Sequence, residues 1–164
     1  MTKSTIIIIL AILLLFAGAV WIAKPNSQNN TAATLNSTGT LQAEETFFDF
    51  GVISMADGLA SHNFKVTNSS DRDVNVKDIS TSCMCTTAFI ETMSGEKGPF
   101  GMPGMSSRTE ANETIKAGES RNIKVVFDPN AHGPAGVGQI DRFVYLADSS
   151  GTVLKLEIKA SVRP

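Results

Sequence analysis

From Leu154 to Val162 every second residue is apolar (Leu154, Leu156, Ile158, Ala160, Val162), and the residues between them are Lys155, Glu157, Lys159 and Ser161, with Arg163 following. A helix would spread that pattern around its circumference, whereas a strand sends i and i+2 to the same face, so this segment is a half-buried strand. Shorter copies of the pattern recur. Phe48, Phe50 and Val52 share one parity, as do Phe64 and Val66, then Val74 and Val76, with the chain continuing through Ile79 to Thr86–Ile90. Ile123, Val125 and Phe127 form another set, with Gly118 in the turn before it and Pro129 after it, and Ile140 to Leu146 a further one. Asn68-Ser69-Ser70-Asp71 is a turn signal, and no stretch of this region keeps a helical period.

About seven short strands in some 120 residues predict an all-β domain, an immunoglobulin-like antiparallel β-sandwich with the apolar parity of each strand facing inward. An antibody-type disulfide pin is excluded, because the only two cysteines are two residues apart and the sole Trp lies at position 21. Glu91 to Arg108, rich in Gly, Pro and Met, reads as one long loop, and loops of that length are commonly functional.

Ahead of the strands, Ile6 to Ala23 carries no charge. As a helix of 18 residues it would reach about 27 Å, enough to span a bilayer. Lys3 before it and no acidic neighbour favour a cytoplasmic N-terminus, and Trp21 suits the far interface, so residues 1–23 are expected to be a signal anchor. A cleaved signal peptide is the alternative, since Ala17-Gly18-Ala19 is an A-x-A-type site. Either reading exports the rest: anchored in the cytoplasmic membrane as a single-pass protein, or periplasmic or secreted after cleavage. Residues 24–43, rich in Asn, Ser, Thr and Ala, are expected to be a flexible linker, and residues 44–164 the sandwich domain. Asn29, Asn36, Asn68 and Asn112 each open an N-x-S/T triplet, a signal only in a eukaryotic secretory pathway.

The formal charge of −2 and a pI near 5.6, with basic and acidic residues interspersed, give no footprint for nucleic acid. The glycines of 133–138 lack the Lys-Ser/Thr and helix of a phosphate loop, no serine sits in a nucleophile elbow, and no carboxylate pair is spaced for acid–base work, so an enzyme is not expected.

The chemistry left is Cys83-Met84-Cys85. On an extended strand both sulfurs point the same way and can share one soft metal ion, while Cα atoms roughly 6.6 Å apart disfavour a disulfide unless Met84 forms a bulge or turn. Cys83 and Cys85 with Met102 and Met105 of the loop, His62 and His132 make a donor set of thiolate, thioether and imidazole, to which Met84 and Met93 add further sulfur; it suits Cu(I), while Zn(II) would accept the Cys and His donors. Plainer readings stand beside it: His62 as a hydrogen-bonded residue at the core edge, His132 as a surface turn residue, the methionines as packing, and the cysteines as reduced structural thiols. A redox pair requires a cation or helix N-terminus at the sulfur, which Thr81, Ser82, Thr86 and Thr87 do not supply.

Phe48-Asp49-Phe50-Gly51, His62 with Phe64, Asn68, Ser82-Cys83-Met84-Cys85-Thr86, Ala117-Gly118-Glu119 and Phe127-Asp128, in this order and spacing, resemble the bacterial domain of unknown function 1573 family over residues 46–162. That family usually has Gly between the cysteines and Pro before Gly-Glu; Met84 and Ala117 stand there here. The resemblance implies an exported immunoglobulin-like domain and no catalytic activity. The expected function is therefore a membrane-tethered binding or scaffold module with an unidentified protein partner. The alternative is an extracytoplasmic copper-binding protein using Cys83 and Cys85, and a thiol redox protein is the third reading.

Overall fold

A computed structural model describes residues 40–105 and 108–164, and within them the chain is a mostly antiparallel β-sandwich of two five-stranded sheets. Ten strands follow in order: β1 (Leu41–Ala43), β2 (Phe47–Ser54), β3 (Ala60–Asn68), β4 (Val74–Thr81), β5 (Thr86–Thr92), β6 (Gly95–Phe100), β7 (Glu110–Ile115), β8 (Ser120–Phe127), β9 (Gly138–Asp148) and β10 (Val153–Arg163). One sheet has the order β1-β3-β8-β5-β6 and the other β2-β10-β9-β4-β7. Every pairing between strands is antiparallel except that of β2 with β10, which is parallel. The expected membrane segment at 6–23 and most of the linker lie outside the described residues. Among the described residues no helix is long and apolar enough to cross a membrane.

Ten strands replace the expected seven because three short ones carry little apolar alternation. β1 lies in the last residues expected to be linker, held by Leu41↔Asn68 and Ala43↔Val66 pairing. The expected 91–108 loop is half strand: β6 folds back on β5 through a tight turn at Met93-Ser94. β7 reads as polar in sequence, yet Ala111 and Ile115 are fully buried.

The long alternations pack as their parity requires. Leu154, Leu156, Ile158, Ala160 and Val162 are all at most 5% exposed, and they meet Phe64, Val66, Ile123, Val125 and Phe127 of the other sheet in one core. Burying each of the larger side chains stabilises the fold by about 1.5 to 3 kcal/mol relative to exposure. On the outer face Lys159 bridges Glu157 (3.1 Å) and Asp141 (3.5 Å). Its pKa is raised, first by the hydrogen bond it donates to Glu157 and then by the charges of Asp141 and Glu157.

Two bulges change the parity that a strict alternation predicts. In β2, Phe50 and Gly51 together oppose Ala160 alone, since the register passes from Asp49↔Lys159 to Val52↔Ser161. Gly51 has φ +68°, a conformation glycine adopts without a Cβ clash. Val52, expected in the core, is consequently 62% exposed, and Ile53 turns inward with Phe48 and Phe50. In β4 the extra residue is Lys77, so burial switches from Val74 and Val76 to Ile79 and Thr81.

Chain crossings between the sheets cluster at the two ends of the sandwich. At one end Asn68, fully buried, donates from Nδ2 to the carbonyls of Arg72 (2.7 Å) and Ile115 (2.9 Å), while its Oδ1 accepts from the Ser70 amide (3.0 Å). Its backbone also exchanges bonds with Glu119 and Gly118. One side chain therefore ties the β3–β4 crossing to the β7–β8 crossing. The triplet that begins at Asn68 is thus structural, its amide wholly engaged. At the other end β4 crosses to β5 through the cysteine segment, and β8 crosses to β9 through residues 128–137.

Candidate metal centre

Cys83-Met84-Cys85 is a turn and not the extended strand expected of it. The Thr86 amide donates to the Cys83 carbonyl (3.1 Å), and Thr81 Oγ1 stands 3.0 Å from the carbonyls of both Cys83 and Thr86, closing the turn from beneath. Folding the segment this way brings the two Cα atoms to 5.2 Å, and Cys83 and Cys85 are joined as a disulfide. The disulfide corrects the expectation of free thiols, and the physical reason is the crossing between sheets, which needs a turn here. Met84 occupies it without a positive φ, so glycine is not required, and its side chain points outward, 49% exposed.

The register of the strands decides what faces this turn. Thr86 pairs with Phe127, so the start of β5 lies beside the end of β8, and Thr81 pairs with Val144, so the end of β4 lies beside the middle of β9. Asp128 amide to Cys85 carbonyl (2.8 Å) and Ser82 amide to Phe143 carbonyl (3.0 Å) fasten both neighbours. Beyond Phe127, Asp128 Oδ1 accepts from the Asn130 amide (2.8 Å), and Asn130 Nδ2 donates to Met55 carbonyl (2.8 Å). The resulting loop carries His132, at the head of a 3-10 turn over Gly133–Gly136, back onto the sulfurs.

His132 Nε2 stands 3.2 Å from Cys83 Sγ, and Arg142 Nε of β9 donates to Cys85 Sγ at 3.3 Å. Thr86 Oγ1 is 3.7 Å from Cys85 Sγ. The environments differ: Cys83 is 9% exposed next to an exposed imidazole, while Cys85 is 2% exposed beside a half-buried guanidinium. Cys83, Cys85 and His132 each offer one donor atom, all within 4.8 Å of one another, a set that can coordinate a metal ion. In the disulfide the sulfurs are weak donors, so coordination belongs to the reduced pair.

Of the other residues of the expected donor set, His62 and Met93 fall elsewhere. His62 Nε2 donates to Glu45 Oε1 at 2.7 Å and the ring stacks on Phe48, with centroids 3.6 Å apart and 9° between planes, while Phe64 meets it edge-on at 4.8 Å. It is the core-edge histidine of the plainer reading. Met93 sits at the tip of the β5–β6 turn, 90% exposed and a strand's length from Thr86, so it is remote from the sulfurs. Met102 and Met105 occupy the turn after β6, which begins where the Gly101 carbonyl accepts from the Thr81 amide (3.2 Å), at the cysteine end of the sandwich. Arg142 is the site residue that sequence reasoning missed. The cation required at the sulfur comes from a strand 57 residues further along the chain.

A mostly antiparallel sandwich whose inter-sheet turn carries a Cys-x-Cys pair, with an imidazole and a guanidinium brought to the sulfurs, defines a class of thiol-bearing β-sandwich domain. Residues 41–101 match the model of the family described as "Protein of unknown function (DUF1573)". The fold is similar to that of a protein of unknown function from Porphyromonas gingivalis (TM-score 0.54, 19% identity, 83% of this chain), of which the chain spans 51%, about half the length. Weaker likenesses are the ASH/PapD-like domain 7 of human CEP192 (TM-score 0.45, 9% identity, 76% of this chain and 85% of that one) and the periplasmic chaperone SfaE (TM-score 0.41, 11% identity, 76% and 57%). No curated protein matches the chain.

Proposed function

We propose that this protein is a non-enzymatic, extracytoplasmic soft-metal-binding domain that holds Cu(I) through Cys83, Cys85 and His132 in its reduced state. The observation that carries the reading is the convergence of two sulfurs and one imidazole nitrogen within 4.8 Å, from two separate crossings of the sandwich. Two thiolates and one imidazole suit the low coordination number and soft character of Cu(I), whereas a structural Zn(II) site calls for a fourth ligand. Charge favours the same ion. Two thiolates around a monovalent cation leave one negative charge, which Arg142 is placed to balance, while a divalent ion would leave the guanidinium facing a neutral centre. Met102 and Met105, whose turn starts beside Thr81, are candidates for a thioether that closes over the ion.

The frame for this site is an immunoglobulin-like sandwich, tethered to the cytoplasmic membrane through residues 6–23 with the domain outside, a placement supported by the uncharged apolar run and its flanking Lys3. The scaffold-module reading with a protein partner rests on the fold alone, and the donor cluster favours metal binding over it. The test is a Cu(I) competition titration of the full chain, reduced and in detergent, beside the Cys83→Ser, Cys85→Ser double variant. One-to-one binding abolished in the variant supports the reading; equal binding by both proteins removes it.

A further inference from the structure

The two sulfurs of the pair are not equivalent, and we propose that the disulfide is opened in a fixed direction by a dithiol reductant, which enters at Cys83 and expels Cys85 as a thiolate stabilised by Arg142. The exchange makes reduction the gate on metal loading, and in that purpose it rests on the metal-binding reading; the chemistry of exchange stands by itself.

Three observations assign the direction. Cys83 is the more exposed residue of the pair, and the group beside its sulfur, His132, is itself exposed and on a surface loop that can give way to an incoming sulfur. Cys85 is 2% exposed, with Thr86 Oγ1 and Arg142 Nε beside its sulfur, so it is the less accessible of the two to an incoming thiolate. The guanidinium, donating at 3.3 Å, is set where negative charge develops when Cys85 leaves, and the sulfur whose thiolate is better stabilised is the faster leaving group. Arg142 is held in place from its own side, since it also donates from Nη1 to the Asp141 carbonyl (2.9 Å).

The step balances as follows. A thiolate of the reductant bonds to Cys83 Sγ, the Cys83–Cys85 bond breaks, and its electron pair stays on Cys85 Sγ beside Arg142. The reductant's second thiolate then attacks its own sulfur in the mixed disulfide, expelling Cys83 as the second thiolate. The pair gains two electrons, the dithiol becomes a disulfide, and the dithiol's two protons pass to solvent. Cys83 and Cys85, now both reduced, can join His132 as ligands. These are the only cysteines in the chain, so no internal thiol competes as the attacking group.

The test uses the oxidised full chain in detergent with a metal chelator present, so that no metal contributes. Brief exposure to glutathione, acid quenching and peptide mass spectrometry locate the first adduct. The expected result is an adduct on Cys83 exceeding that on Cys85 by at least about tenfold. A second arm follows reduction by dithiothreitol in wild type, Arg142→Lys and Arg142→Met, each checked for a native thermal transition. Arg142→Met is expected to react about threefold or more slowly, and Arg142→Lys to recover most of the rate. Adducts shared equally or favouring Cys85, or an unchanged rate in Arg142→Met, overturn the proposal. Cu(I) binding by pre-reduced protein is scored separately: its absence with the adduct still on Cys83 removes the metal reading and leaves the directed exchange, and the converse result does the opposite.

Discussion

Cys83 Sγ and His132 Nε2 lie 3.2 Å apart although 49 residues of chain separate them. Each belongs to a different crossing between the sheets, and the pairing of Thr86 with Phe127 brings those crossings to the same end of the sandwich. His132→Ala should lower the Cu(I) affinity of the reduced full chain by at least about tenfold, because even outer groups that only orient ligands contribute that much. Stability should stay within about 0.5 kcal/mol, since the side chain is exposed and on a loop. Competition titration and chemical denaturation of the same samples check both parts.

His62 supplies the contrasting case. Its ring stacks on Phe48, meets Phe64 edge-on and is bonded to Glu45, and it is not part of the Cys83, Cys85 and His132 cluster. His62→Ala should therefore cost about 1 to 2 kcal/mol of stability through lost ring contacts, with Cu(I) affinity unchanged. A fall in affinity comparable to that of His132→Ala would return His62 to the ligand set.

Asn68 holds the opposite end. Asn68→Ala leaves the carbonyls of Arg72 and Ile115 without their side-chain donor in a fully buried setting, and should cost about 2 to 4 kcal/mol. Asn68→Asp keeps the acceptor for Ser70 but points a carboxylate oxygen at those two carbonyls, so it should be at least as destabilising. Urea denaturation of both variants decides this, and a loss below about 0.5 kcal/mol would show that the amide is dispensable.

Gly51 isolates a backbone effect. A Cβ there meets nothing within 4 Å, so the cost of Gly51→Ala is that of holding φ +68° alone, about 1 kcal/mol. Gly51→Asn should cost less, because asparagine tolerates the left-handed region. Equal losses for both variants would point to a cause other than φ.

Much of the sandwich is legible in the chain because a strand exposes its own burial. The parity of Leu154 to Val162, of Phe64 and Val66, and of Ile123 to Phe127 needs nothing beyond period two and the removal of apolar surface from water. Legibility fails where one residue is added. The bulges at Gly51 and Lys77 exchange inside for outside, which put Val52 on the surface against its parity. It also fails for β1, β6 and β7, which are strands because a neighbour offers hydrogen bonds rather than because of their own pattern.

By itself the sequence determined an all-β domain, its main core residues and the pair Cys83 and Cys85 as its distinctive chemistry. Tertiary structure alone decided that these cysteines lie in a turn close enough to bond, that His132 rather than His62 meets them, and that Arg142 faces Cys85. The physical reason is range. Alternation is a local record of burial, whereas the partners of a side chain at an inter-sheet crossing follow from the register of strands distant in sequence, which no local pattern encodes.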